Sequence, residues 1–134
     1  MIFFIYQLLT SILLIFSPLI ILYRITINKE DKFRVKEKFC FSSKLRDNGK
    51  LIWFHGSSVG EIMSIIPIIK KYDNDKSINK ILITSSTLSS SKILNKIKFK
   101  KTIHQFYPID NLFLTNKFLK FWKPSIAVFV DSEI

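Results

Sequence analysis

The feature that most restricts the fold is an apolar run at the start of the chain, where no charged side chain occurs from Ile2 to Tyr23. As a helix rising about 1.5 Å per residue, this run reaches ~33 Å, enough to cross a hydrocarbon core of about 30 Å. A cleavable signal peptide would have a basic start and a small-residue cleavage site, and a buried soluble helix would have a polar face. The run shows none of these, so residues 1–23 are predicted to form one transmembrane anchor.

A basic segment, residues 24–50, follows the apolar run and holds nine Lys or Arg residues against four Asp or Glu. Since basic flanks stay on the cytoplasmic side, the rest of the chain is predicted to be cytoplasmic, with a single-pass helix in the inner membrane. An unpaired Cys40 fits that reducing compartment. Each basic residue near anionic headgroups contributes on the order of 1 kcal/mol. The segment is therefore predicted to bind headgroups, to be a solvated linker, or both.

The whole chain carries a formal net charge of +11, a value that raises the question of nucleic-acid binding. The composition is rich in Lys, Asn, Ile and Phe, and no nucleic-acid-binding motif accompanies the charge, so no nucleic-acid partner is predicted. One cysteine excludes an internal disulfide, and the lack of Cys/His clusters excludes a zinc site. Neither a metal nor a cofactor is expected.

Residues 51–134 alternate short apolar runs with amphipathic stretches, a pattern that predicts an α/β domain. The order β-α-β-α-β-α-β is typical of a Rossmann-like parallel sheet with helices on both faces. The predicted strands are Leu51–His55, Ile81–Thr84, Ile103–Tyr107 and Ile126–Val130. The predicted helices are Glu61–Tyr72, a stretch from about Ser90 to Lys98, and a third that Asp110 caps and Trp122 ends. The loop predicted before the second helix is Ser85–Ser91.

Polar or acidic side chains directly follow three of the predicted strands. The three segments are His55–Glu61, Thr84–Ser91 and Asp131–Glu133. The working residues of parallel α/β sheets collect at the carboxyl ends of the strands. The sequence therefore predicts that these three segments form one site.

The first of these segments reads His-Gly-Ser-Ser-Val-Gly-Glu and places Glu61 at the start of a predicted helix. The helix dipole favours a carboxylate there, so Glu61 could accept a proton from an attacking hydroxyl. A purely structural helix cap is equally compatible with the pattern. The segment is neither a Walker loop nor a dinucleotide fingerprint, and Ser57 and Ser58 lack the context of a nucleophile. His55 is compatible with a simple hydrogen-bonded structural role.

The stretch Leu51–Glu61 resembles the H-x-x-S-V-G-E loop of the 3-deoxy-D-manno-octulosonic acid (Kdo) transferases of lipopolysaccharide synthesis. Other motifs similar to that family follow in the family's order. They are the N-terminal anchor, the R-x-x-E stretch in Arg34–Phe39, the hydroxyl-rich Thr84–Ser91, the P-x-D in Tyr107–Asp110, and Asp131–Ile134, similar to the start of E-T-E-L-W-P. Two residues depart from the family pattern, since Ser90 replaces a glycine and Asp131 replaces the first glutamate of that last motif.

The resemblance implies the amino-terminal half of a GT-B glycosyltransferase, with a lipid A precursor as acceptor and CMP-Kdo as donor. By position, Glu61 would be the general base. The residues implied to bind the acceptor are Ser57, Ser58, Gly60, Thr84, Thr87 and Glu133. The resemblance also implies that CMP-Kdo binds a second, carboxyl-terminal domain, which residues 51–134 do not contain.

This chain is accordingly expected to be a fragment of such an enzyme, inactive alone. Two alternative functions stay open from the sequence. One is a membrane-anchored module that binds a phosphorylated glycolipid without catalysis. The other is a GT-B glycolipid transferase that uses another donor.

Overall fold

The computed structural model describes residues 1–130, and the motif Asp131–Ile134 lies outside the described residues. The helices are α1 (Ile2–Thr26), α2 (Val59–Asp73), α3 (Leu88–Lys96) and α4 (Leu112–Trp122), with a 3-10 helix at Val35–Phe39. The strands are β1 (Leu51–Gly56), β2 (Lys80–Ser85), β3 (Thr102–Phe106) and β4 (Ile126–Val130). The predicted alternation of strands and helices is confirmed.

The four strands form one parallel sheet in the order β3-β2-β1-β4. The first strand is central and its six residues are all buried. A strand buried on both faces reads as a continuous apolar run, which is what Leu51–Phe54 supplies. The predicted α/β fold with a parallel sheet is therefore confirmed.

Alternate residues of β1 point to two separate hydrophobic cores, because successive side chains of a strand face opposite sides. On one face, Ile52 and Phe54 pack in a cluster with Ile62 and Ile65 of α2. On the other face, Trp53 packs with Phe118 and Trp122 of α4. The helices thus cover both faces of the sheet, and the carboxyl ends of the strands remain the accessible rim.

Several predicted boundaries are wrong, since α2 begins at Val59 and not at Glu61, and α3 ends at Lys96 and not near Lys98. Helix α4 is capped by Asn111 and not by Asp110. The side-chain oxygen of Asn111 accepts a hydrogen bond from the Phe113 amide at 3.0 Å. The predicted loop Ser85–Ser91 is shorter, because α3 begins at Leu88. A run of hydroxyl side chains favours loops, but here Ser90 and Ser91 are buried in the first turn of that helix.

Part of the basic segment packs against the sheet. The carboxylate of Glu37 is fully buried and forms a bidentate pair with Arg34, at 2.9 Å for each bond. Glu30, which is 7% exposed, pairs with Arg24 at 2.8 Å and with Lys38 at 2.7 Å. Three of the basic residues therefore have carboxylate partners within the chain instead of facing only headgroups or solvent.

The end of α2 is joined to the start of β3 through Asp73, whose carboxylate accepts hydrogen bonds from the amides of Lys100 at 2.7 Å and Lys101 at 2.8 Å. Burial alone would raise the pKa of this carboxyl, but these bonds and the Thr102 hydroxyl together lower the pKa below its ordinary value. Asp73→Asn should lower the free energy of unfolding by about 1.5–3 kcal/mol at pH 7, because an amide NH₂ then faces an amide donor.

A carboxyl with a lowered folded-state pKa stabilises the fold above its unfolded pKa, and this stability is lost as the pH falls through the folded value. Urea titrations in detergent micelles should therefore show wild type and Asp73→Asn converging below about pH 4. The exposed Asp47, which pairs with Lys80 at 2.8 Å, provides the control, and Asp47→Asn should cost under about 1 kcal/mol. Equal effects of the two variants at pH 7 would contradict this role of Asp73.

Candidate functional site

The strand order places a topological switch point beside β1. The chain passes from β1 outward to β2 and β3, and β4 then pairs on the opposite side of β1. In open α/β sheets, ligands bind in the crevice that such a reversal opens at the carboxyl ends of the strands. The segment His55–Glu61 leaves β1 at this crevice, so its side chains are the first candidates for a site.

Glu61 lies in the first turn of α2 and forms a capping box with Ser58. The Ser58 hydroxyl donates to the Glu61 carboxylate at 2.8 Å, and the Glu61 amide donates back to that hydroxyl at 3.2 Å. The Ser57 amide also donates to the carboxylate, at 2.6 Å. The sequence left two roles open for Glu61, a helix cap and a proton acceptor, and the structure shows the cap. The same bonds hold the half-buried carboxylate at the switch point.

The two glycines of the segment differ in how much space surrounds their Cα atoms. A Cβ on Gly56 would lie 3.1 Å from the Cβ of Glu61 and 3.3 Å from the Ile62 amide nitrogen, so a larger residue would require α2 to shift slightly away from β1. Among residues 1–130, a Cβ on Gly60 would meet nothing nearer than the Ser58 hydroxyl at 3.9 Å. Glycine in a helix costs about 1 kcal/mol relative to alanine. Packing against the described residues does not explain Gly60, and the space that they leave beside it is available to a ligand.

Beneath the segment, three buried side chains of β1 and β2 are joined through one hydroxyl. The Thr84 oxygen accepts a hydrogen bond from Trp53 Nε1 at 2.8 Å and bonds His55 Nδ1 at 2.9 Å. The other ring nitrogen of His55 lies 3.3 Å from the Ser57 hydroxyl. Burial lowers the pKa of His55, although the Thr84 backbone and the Glu61 charge act in the opposite direction. A neutral His55 therefore supports the loop from below.

The candidate acceptor-binding residues occupy three different positions. Ser57, Ser58 and Gly60 are exposed at the rim, and so is Thr87, which caps α3 by accepting from the Ser90 amide at 3.2 Å. Thr84 is fully buried and has its hydroxyl bonded to the side chains described above, so it supports the rim without facing the crevice. Glu133 lies outside the described residues.

The sequence did not single out Trp53 or Tyr107 as part of this arrangement. The ring of Tyr107 lies 4.1 Å from that of His55, centroid to centroid, and closes the side of the site nearest β3. The sequence did contain a signal for Trp53, because an indole N–H within a buried strand needs a hydrogen-bond acceptor. The register of the sheet places Thr84 opposite His55, close enough to Trp53 to be that acceptor.

Within the described part of the chain, the chemistry available at this rim is that of the Glu61 carboxylate, several hydroxyls and the amides of a helix N-terminus. Such groups suit a polyhydroxylated ligand, with the carboxylate placed to take a proton from a hydroxyl. Within residues 1–130, no group of three or more His, Cys, Asp or Glu side chains is placed to hold a metal ion.

Comparison with known proteins gives consistent matches. Residues 33–134 match the family model described as 3-deoxy-D-manno-octulosonic-acid transferase (kdotransferase). A protein of Rickettsia bellii named 3-deoxy-D-manno-octulosonic acid transferase is 40% identical over 96% of this chain. A probable mitochondrial 3-deoxy-D-manno-octulosonic acid transferase of Arabidopsis thaliana is 34% identical over 98%, and the Haemophilus influenzae transferase is 25% identical over 93%. No solved structure gives a significant match.

The matches cover a limited part of each relative. This chain spans 31% of the Rickettsia bellii protein and 30% of the Arabidopsis thaliana protein. The matched region of this chain contains the whole described sheet and the rim with Glu61.

Proposed function

Because this chain belongs to the 3-deoxy-D-manno-octulosonic acid transferase family, we propose that residues 51–134 bind the acceptor of Kdo transfer and supply its catalytic base. The acceptor is a lipid A precursor, and the donor is CMP-Kdo. The observation that carries the proposal is the position of Glu61, held by its capping box at the switch point of the sheet.

In the proposed reaction, Glu61 accepts the proton of an acceptor sugar hydroxyl as that oxygen attacks the anomeric carbon of Kdo. A carbon–oxygen bond forms to the acceptor, and the bond from the same carbon to the phosphate oxygen of CMP breaks. The bonding electrons leave with CMP. A base within hydrogen-bond reach contributes roughly 10²–10⁴-fold to such a step.

The other rim residues position the acceptor. The exposed hydroxyls of Ser57, Ser58 and Thr87 are available to sugar and phosphate oxygens, and Gly60 leaves room for the sugar ring. Thr84 acts indirectly by fixing His55 and thus the Ser57 side of the loop. Glu133 is proposed as a second acidic residue of the crevice.

CMP-Kdo is proposed to bind a second α/β domain that faces this one, as in a GT-B enzyme. The relatives have room for such a domain, since this chain spans less than a third of the Rickettsia bellii protein. Residues 51–134 are then proposed to bind acceptor but to transfer nothing alone.

We propose an inner-membrane location with the site on the cytoplasmic side. Helix α1 meets the length and hydropathy expected of a membrane span, with a mean hydropathy of 2.2 over its most apolar window. A helix of this kind can hold the domain at the bilayer by crossing it or by lying in one leaflet. In either arrangement it raises the effective concentration of a lipid substrate near the rim.

The test is a chimera in which residues 1–134 replace the matching first part of the Rickettsia bellii protein. Incubated with lipid A precursor and CMP-Kdo, it should yield Kdo-modified precursor by mass spectrometry, whereas residues 1–134 alone should bind the precursor without transfer. The parent transferase is the control for substrates and detergent. A folded chimera that binds CMP-Kdo but neither binds nor modifies the precursor would overturn the proposal.

A further inference from the structure

Helix α1 lies along the domain instead of projecting away from it. Near its start, the Tyr6 hydroxyl donates a hydrogen bond to the carboxylate of Asp110, just before α4. Near its end, Ile21 is only 8% exposed. At about 1.5 Å per residue, these two points are roughly 22 Å apart along the helix. The domain therefore follows most of the helix length.

The sequence indicated no polar face on this helix, but the side of α1 that meets the domain carries hydrophilic residues. Thr10 and Ser17 are 8% and 7% exposed, and Gln7, Thr10 and Ser11 border a cavity of about 230 Å³ shared with the start of α4. Tyr6, Thr10, Ser17 and Ile21 are spaced by four and seven positions, which places them on one side of the helix, and the exposed Ser11 lies outside that side. The opposite side is exposed and mainly apolar, with Phe4, Leu8, Ile12, Ile15, Leu19 and Leu22.

This packing disfavours α1 crossing a bilayer. If the helix crossed with its carboxyl end at the cytoplasmic face, Tyr6 would lie deep in or beyond the hydrocarbon core. Asp110 and Asn111 would have to lie there with it, and placing a carboxylate and the start of a helix in hydrocarbon is costly. A docked α1 thus keeps both of its ends on one side of the membrane.

We propose that α1 is a monotopic anchor that lies in the plane of the cytoplasmic leaflet, between the domain and the acyl chains of an anionic phospholipid bilayer. Its apolar side inserts among the acyl chains, and its hydroxyl-bearing side stays on the domain. Interfacial helices bind in this orientation with their apolar face at the headgroup–acyl boundary.

Two further observations extend the same surface. Leu112 and Phe113, which are 50% and 70% exposed, border the cavity beside α1 and add apolar area next to its first half. Lys29, Lys32 and Lys36 are exposed beyond its other end and are placed to meet anionic headgroups. The surface thus joins an apolar region to a basic margin, which matches the chemistry of an anionic membrane and does not depend on the proposed transfer reaction.

The orientation can be measured with a single cysteine in a short hydrophilic extension before Met1, in a Cys40→Ser background, in Escherichia coli. A membrane-impermeant maleimide should label it in inverted inner-membrane vesicles and not in intact spheroplasts. Lys29→Cys, which both orientations place in the cytoplasm, is the matched control. Labelling of the extension from spheroplasts would overturn the proposal, and so would absence of the protein from membranes.

The docking of the helix is tested separately with p-benzoylphenylalanine at position 6. Irradiation of the membranes should cross-link position 6 to the segment 107–113, whereas the same group at the outward-facing position 16 should label lipid. If the extension is labelled from the cytoplasm but position 6 does not cross-link to the segment 107–113, the proposal is also overturned, because the helix would then be detached from the domain.

Discussion

Glu61→Gln is expected to reduce Kdo transfer by the chimera by about 10²–10⁴-fold while binding of the lipid A precursor changes little. Glutamine cannot accept the hydroxyl proton, but it can replace glutamate in a capping box. The glutamine oxygen can still accept from the Ser57 amide, and its NH₂ group can donate to the Ser58 hydroxyl oxygen, so α2 should start in the same place. The measurements are initial rates with CMP-Kdo, affinity for the precursor, and the free energy of unfolding.

Two further variants separate the base from the cap. Glu61→Ala removes both functions, so it should lose transfer and also about 1 kcal/mol of stability. Ser58→Ala removes the cap but keeps the carboxylate, so it should lose comparable stability and retain more transfer than Glu61→Gln. If Glu61→Gln kept the wild-type rate while Glu61→Ala merely unfolded more easily, Glu61 would be a structural cap and the proposed base would be wrong.

The sequence predicted the sheet well because its signals there are local. The central strand β1 begins with a continuous apolar run and ends at a glycine, and β2 also contains a continuous apolar run, Ile81–Ile83. The parallel arrangement follows from the strand–helix alternation, and it brings the carboxyl ends of the strands to one rim wherever the exact boundaries fall. The position of Glu61 at that rim was therefore predictable, although its exact hydrogen bonds were not.

The sequence could not distinguish hydroxyl residues that face a crevice from those that face the interior. Thr84 and Thr87 lie in the same hydroxyl-rich stretch, yet Thr84 is fully buried between Trp53 and His55 while Thr87 is exposed. Their difference comes from the partners that the neighbouring strand supplies. Asp110 and Asn111 are similarly adjacent and both favour helix starts, and only the docked position of α4 selects Asn111.

The largest stability effect is expected at Glu37, which the sequence placed in a basic and apparently solvated segment. Glu37→Ala should lower the free energy of unfolding by about 3–5 kcal/mol, because it leaves the Arg34 guanidinium largely buried without its bidentate partner. It also removes the acceptor of the Phe106 amide, to which Glu37 bonds at 2.9 Å. Urea denaturation of the full chain in detergent micelles measures the loss.

The reason for this cost lies at the edge of the sheet. Strand β3 has no neighbouring strand on its outer side within residues 1–130. Arg34 donates to the His104 carbonyl at 2.8 Å and Glu37 accepts from the Phe106 amide, so the ion pair takes over hydrogen bonds that another strand would make. Arg34 also lies 3.2 Å from His104 Nδ1. Burial, together with the nearby Arg34 charge, lowers the pKa of His104 to about 3 and keeps that ring neutral.

The controls distinguish this edge pairing from a general effect of charge removal. Asp47→Ala breaks an ion pair of similar length, 2.8 Å, but its carboxylate is 55% exposed, so the loss should stay under about 1 kcal/mol. The double variant Arg34→Met, Glu37→Leu removes both buried charges together and should recover part of the loss. The recovery should be incomplete, since no apolar side chain can bond the Phe106 amide. Hydrogen exchange at Phe106 should therefore be faster in both Glu37 variants than in wild type, and unchanged exchange there would mean that the pair does not close the edge of the sheet.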